Sequence, residues 1–352
     1  MHSTYSKIQS HQHFQVPDDW LRIQTIDMHT AGEPLRVITA GFPELKGSNV
    51  LERRAHMKAG YDHLRTALMH EPRGHRDMYG CMLLPPNDQD ADFGILFMHN
   101  EGYSTMCGHA IIAITKLAVE MGWMQPQDGK AKITIDAPCG RIASFATISD
   151  EQVSSVYFFG VPSFVVDLDQ QITLAAYGEI KYDLAYGGAF YAYVDADAHD
   201  ISLDQDNYHQ LIQLGKAIKK EVNQTNNNIK HPYEEALSFL YGTIFTSKKT
   251  NGQADSRNVC VFADGEVDRS PTGSGVSGRM AIHHARGEIQ VGQSMVIESI
   301  IDTTFRGSVI EEVAFGPYQA VIPQVEGNAY IVGQQEFIID PKDPLQEGFI
   351  LG

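Results

Sequence analysis

The 352-residue chain holds only four cysteines, Cys81, Cys107, Cys139 and Cys260, and none forms a CxxC pair. They are too few and too scattered for a disulfide framework. Basic residues are also scarce, with 27 Lys and Arg against 44 Asp and Glu, for a formal net charge of −17. That balance excludes the cationic surface on which nucleic-acid binding rests, and it disfavours an anionic membrane surface as partner. No apolar run approaches the length of a membrane span, and the polar, His- and Gln-rich stretch from Met1 to Trp20 lacks the apolar core of a signal peptide. Neither a P-loop nor a nucleophile elbow is present, and no cofactor is indicated. These absences point to a cytoplasmic protein with reduced thiols.

What is present is ordinary globular usage, with 43% apolar and 20% charged residues. At about 150 residues per domain the length suggests two domains. Such a chain buries enough surface to hold a core without metal or disulfide. Residues 1–19 read as a mobile tail. Beyond it, period-2 alternation marks strands at Ile23 to Asp27 and Leu35 to Thr39, and further strands follow at Met78 to Leu84 and Asp92 to Met98. A helix is expected over Ser48 to Leu68. A surface helix is expected from about Asp204 to Val222, with Leu211, Ile212, Leu214, Ile218 and Val222 inward. Ala110 to Glu120 is apolar on nearly every face, which predicts a helix enclosed by protein.

An internal repeat gives the organisation. Cys107-Gly108-His109 opens a helix that stops at Gly122, and Thr272-Gly273-Ser274 opens another that stops at Gly287. The two starts lie 165 residues apart, each followed by a strand, a turn glycine (Gly140, Gly307) and a strand. At the first start a thiol meets the free amides of a helix N-terminus, which should lower its pKa from about 8.5 and can hold a carboxylate. Cys81, Cys139 and Cys260 fall in strand or turn contexts and read as structural.

Two apparent motifs dissolve on inspection. Gly273, Gly275 and Gly278 fit GxGxxG, but the polar stretch Ala263 to Ser270 separates them from the nearest strand, so a dinucleotide site is rejected. His70-Glu71-Pro72-Arg73-Gly74-His75 has HExxxH spacing, and Pro72 and Gly74 forbid the helix that would align two metal ligands. A pocket-lining or structural loop is expected there, and no metal.

Taken together, Asp27 to Pro34, His70 to Gly80, Met106 to His109 and Asp268 to Gly275 resemble the proline racemase family, over about residues 21–350. The resemblance implies an α+β, diaminopimelate-epimerase-like fold. It has two pseudo-symmetric domains, each a curved sheet around a central helix, here 20–165 plus 335–352 and 166–334. It also implies cofactor-independent chemistry on a small-molecule substrate, between the two helix starts, and usually a homodimer. Members that racemise or epimerise carry cysteine at both starts; this chain has Cys107 and Thr272. That pairing resembles the trans-3-hydroxy-L-proline dehydratases of the family. Carried over by position, Cys107 is the proton acceptor, while Gly108, His109, Asp268, Gly273 and Ser274 contact substrate. Tyr79 and Phe262 form aromatic pocket walls, although racemases often have phenylalanine at the first of these.

The chemistry agrees with the substitution. Inversion needs an acid and a base on opposite faces of Cα. A threonine hydroxyl is a poor acid, and the sequence offers no neighbouring base to activate it. One-sided deprotonation is productive only when the carbanion expels a group, as a 3-hydroxyl allows. In trans-3-hydroxy-L-proline the Cα hydrogen and the hydroxyl share a ring face, so Cys107 could return its proton to the departing hydroxide. A 4-hydroxyproline 2-epimerase or proline racemase is the alternative.

Overall fold

The computed structural model describes residues 7–8 and 14–351, so most of the expected tail lies outside the described residues. The chain is mixed α+β, and among the described residues 18 strands form one hydrogen-bonded network. One pairing scheme runs through the strands twice. In the first pass Leu21–Thr30 pairs antiparallel with Glu33–Ala40, which runs parallel to Tyr79–Leu84, itself antiparallel to Phe93–His99. Phe93–His99 then runs parallel to Lys130–Ala137, and Gly140–Ser149 and Gln152–Phe159 continue antiparallel. In the second pass the same alternation links Gly178–Tyr186, Phe190–Asp195, Leu240–Ser247, Ser256–Phe262 and Ser294–Glu298. Thr304–Phe315 and Tyr318–Gly327 complete it.

The passes join where Tyr318–Gly327 pairs with Gln152–Phe159 and with Ser163–Leu174. The last strand, Ala329–Ile339, returns to pair along its whole length with Leu21–Thr30. Each pass wraps one helix: α3 (Gly108–Glu120) and, further on, α5 (Gly273–Ala285). Apolar side chains on every face let α3 sit inside the sheet, and residues Gly108 to Thr115, Leu117 and Ala118 are buried. In α5 small residues, Ser274, Ser277 and Ala281 among them, let the strands approach, and Gly273 to Ile282 are buried.

Elsewhere local chemistry adjusts the expected boundaries. The single helix expected over Ser48 to Leu68 is two, α1 (Val50–Gly60) and α2 (Asp62–Met69). They are separated at Tyr61, whose φ of −133° is non-helical. The surface helix α4 (Tyr208–Thr225) starts later than expected because Asp204 caps a short 3-10 turn, Gln205–Asn207. Its inward residues are those expected, and they pack on Leu240–Ser247 and Ser256–Phe262. No helix among the described residues is long and apolar enough to cross a membrane.

Candidate active site

The N-termini of α3 and α5 meet head to head. A Cβ on Gly108 would lie 2.6 Å from Gly273 Cα, and one on Gly273 would lie 2.7 Å from Gly108 Cα. Only glycine fits at this contact. The residues just before it differ sharply. Cys107 is extended (φ −144°) and caps α3, its Sγ accepting the Ala110 amide at 3.3 Å. Thr272 has φ +66° and makes no side-chain cap to its helix. For a β-branched residue this left-handed conformation costs about 1–3 kcal/mol, so it must be imposed by its surroundings. The imposing contacts come from the preceding turn. Ser270 Oγ accepts the Thr272 amide at 3.1 Å, and Asp268 Oδ2 accepts the Thr272 hydroxyl at 2.8 Å. Asp268 Oδ1 in turn accepts the Ser270 amide at 2.7 Å.

Two sequence expectations are corrected here. A base does adjoin Thr272: it is the carboxylate of Asp268, four residues back across the turn. The thiol of Cys107, expected to be acidified by its helix, is instead pushed well above the ordinary thiol range. Burial is the main cause and the charge of Asp268 adds to it. The Ala110 amide and the Tyr79 hydroxyl oppose the shift without cancelling it. A single capping amide does not offset removal of the thiolate from water.

His109 stands against the thiol, with Nδ1 3.2 Å from Sγ. Burial lowers its imidazole pKa to about 4, so the ring is neutral at pH 7. Tyr79 places its ring edge against His109 at 4.8 Å, and its hydroxyl hydrogen-bonds Ser104. It meets Phe262 at 6.3 Å. Ser274 Oγ is bonded to the Tyr191 hydroxyl at 2.8 Å. From the Asp27–Pro34 motif, buried Glu33 accepts the Arg269 amide at 2.7 Å and so steadies the Asp268 turn. Burial, followed by the charge of Asp268, raises the Glu33 carboxyl well above its usual range.

All nine residues singled out from the sequence line one small space: Tyr79, Cys107, Gly108, His109, Phe262, Asp268, Thr272, Gly273 and Ser274. Met106, Tyr191, Tyr241 and Cys260 complete its walls. Sequence reasoning names Met106 only as part of a motif, misses Tyr191 and Tyr241, and reads Cys260 as structural. The space is about 20 Å³, room for about one water, so its lining must rearrange to admit any ring-sized molecule. A much larger cleft of about 880 Å³ lies outside it and shares Tyr241 as a wall. The His70–His75 segment is a structural loop, with His70 Nε2 2.9 Å from the Asn100 carbonyl and neither histidine in the chamber. Among the described residues, no cluster of three or more His, Cys, Asp or Glu is placed to hold a metal.

Known proteins share this sequence and fold. A model of the proline racemase family matches residues 25–350. A trans-3-hydroxy-L-proline dehydratase from Colwellia psychrerythraea is 48% identical, covering 95% of this chain and 94% of its own. A 3-hydroxyproline 2-epimerase from Burkholderia multivorans is 43% identical over 94% of this chain and 98% of its own. The crystal structure of a hydroxyproline epimerase from Agrobacterium vitis superposes with a TM-score of 0.87 at 31% identity, covering 94% of this chain and 96% of that one. A family match over nearly the whole chain, with relatives above 40% identity, settles the kinship: this chain belongs to the proline racemase family.

Proposed function

We propose that this protein dehydrates trans-3-hydroxy-L-proline to Δ1-pyrroline-2-carboxylate. One observation carries the reading: of two helix starts facing each other, one bears a thiol and the other a hydroxyl donated to a carboxylate. The substrate carboxylate is received by the free amides at both helix starts, which stabilise charge delocalised into it as Cα is deprotonated. Asp268 pairs with the ring ammonium. Cys107 is the base, and the His109 ring, its Nδ1 3.2 Å from Sγ, orients the sulfur. Thiolate takes the Cα proton, the Cα–Cβ double bond forms, and the C3–O bond breaks. The resulting enamine tautomerises to the cyclic imine and water is released. Thr272 takes no proton in this cycle.

Its four unbridged cysteines suit a reducing compartment, so the reading includes a cytoplasmic enzyme, and with it a homodimer. Incubation with trans-3-hydroxy-L-proline, trans-4-hydroxy-L-proline and L-proline tests the activity. Ketimine from the first alone supports the proposal, and none from the first refutes it. A 2-epimerase is the second reading, favoured by the base that Asp268 supplies to Thr272. Stereoinversion at C2 of any of the three substrates would support it.

A further inference from the structure

The proposed dehydration needs a proton for the departing oxygen, and the chamber wall at Tyr241, with His99 and Glu266 behind it, holds atoms suited to receive that oxygen. Buried side-chain polar atoms without a hydrogen-bond partner are few among the described residues: Glu33 Oε1, His99 Nε2, Tyr186 hydroxyl, Tyr241 hydroxyl and Glu266 Oε2. Three of these five stand together. His99 Nδ1 lies 3.2 Å from Glu266 Oε1, and the His99 ring packs edge-on to Tyr241 at 6.1 Å. Orphaned polar atoms cost about 1–3 kcal/mol each, and three at one place indicate a polar occupant that the fold leaves room for.

Their location says which occupant. Tyr241 lines both the reaction chamber and the outer cleft. His99 lines the cleft, stacks on Tyr79 at 5.7 Å and meets Phe262 edge-on at 5.7 Å, the two aromatic walls of the chamber. His99 and Tyr79 come from the same pass of strands as Cys107. Glu266 and Tyr241 come from the other, so the group is assembled only when the halves meet. The Cα hydrogen and the 3-hydroxyl share a ring face, which puts the leaving oxygen on the Cys107 side, where Tyr79 and His99 are.

We propose that His99, Tyr241 and Glu266 form the leaving-group subsite, in which His99 is the acid that protonates the departing 3-hydroxyl. Glu266 Oε1, which also accepts the Glu101 amide at 3.3 Å, accepts a hydrogen bond from Nδ1–H and holds the ring, leaving Nε2–H as donor; the Tyr241 hydroxyl orients the substrate oxygen. In the step, the Cα–H bond breaks and its proton goes to the Cys107 thiolate. The electron pair forms Cα=Cβ, and the C3–O bond breaks as Nε2 delivers its proton to oxygen. Water departs toward the outer cleft, the imidazolium is left neutral, and solvent exchange restores both groups. His99 is thus a catalytic residue and Glu266 a positioning residue.

This inference rests on the dehydration reading, and its test keeps the two apart. If wild-type protein makes no ketimine from trans-3-hydroxy-L-proline, the reading itself fails. Given that activity, the subsite is tested with trans-3-chloro-L-proline, whose chloride needs no proton to leave. The His99→Gln variant should lose dehydration by about 100-fold, within the range general acids contribute, yet eliminate chloride within about threefold of wild type. Glu266→Gln and Tyr241→Phe should show the same selective loss, smaller in size. L-proline, lacking the hydroxyl, should protect Cys107 from alkylation equally in every variant, which reports an intact fold. Retained dehydration in His99→Gln would overturn the proposal and return the role to Cys107. Parallel loss of both eliminations would overturn it too, as a structural effect.

Discussion

The two helix starts occupy equivalent places in a repeated strand scheme, and their chemistry is opposite. Cys107 sits in relaxed extended backbone, capped by its own helix, with a neutral imidazole against its sulfur. Thr272 is forced into left-handed backbone, and its one proton is donated to Asp268. The first is arranged to gain a proton and the second is not free to give one. Symmetry of fold therefore need not mean symmetry of mechanism: a second thiol would complete an inverting pair, whereas a bound hydroxyl leaves elimination as the productive outcome.

The comparison breaks most directly at its active side. Replacing Cys107 with serine should lower ketimine formation roughly 10³- to 10⁴-fold, the range assigned to a lost proton acceptor, measured as turnover on trans-3-hydroxy-L-proline. Activity near wild type would move the base elsewhere. Next in size, Asp268→Asn removes the charge that holds Thr272 and that we propose pairs with the ring ammonium. A fall in kcat/KM of about 100-fold, carried mostly by KM, is expected, and unchanged kinetics would remove Asp268 from binding.

Where the helices touch, Gly273→Ala would set a Cβ 2.7 Å from Gly108 Cα. A loss of about 1–3 kcal/mol in unfolding free energy, together with weaker substrate binding, should follow from the overpacked contact. Thr272→Cys sharpens the comparison instead of breaking it. It should lose less than about tenfold in dehydration while gaining slow inversion of L-proline, visible by polarimetry. The smallest effect is on pH. Because burial raises the Cys107 thiol, the thiolate fraction falls as pH drops through and below that raised value. The acidic limb of kcat/KM assigned to the thiol should therefore lie above that of an exposed cysteine, and a limb below the usual thiol range would contradict the assigned burial.

Much of this was legible in the sequence, because helix starts are local features. The apolar run after Cys107, the small-residue run after Thr272 and the glycines beyond each are enough to place two enclosed helices and to relate them. The same strand pairing is the basis on which we propose the partition into 20–165 plus 335–352 and 166–334. What was not legible depends on neighbours far along the chain. The thiol shifts upward because α3 is fully enclosed, a property of the sheet around it. Asp268 reaches Thr272 only through the turn over Ser270 and Pro271, at whose end Thr272 takes φ +66°. His99, Tyr241 and Glu266 stand on strands brought together by parallel links and by the meeting of the two passes, so no spacing in the sequence could join them. The one helix expected at 48–68 broke at Tyr61, where Gly60 ends the first segment.

The central claim is that proton transfer is confined to one face of the substrate. It is tested most directly by letting wild-type protein act on trans-3-hydroxy-L-proline and determining, by chiral chromatography, the configuration of the unreacted amino acid at partial conversion. The account predicts that only the L-substrate is recovered beside the ketimine. Accumulation of cis-3-hydroxy-D-proline would show that the Thr272 face delivers a proton, and would contradict it.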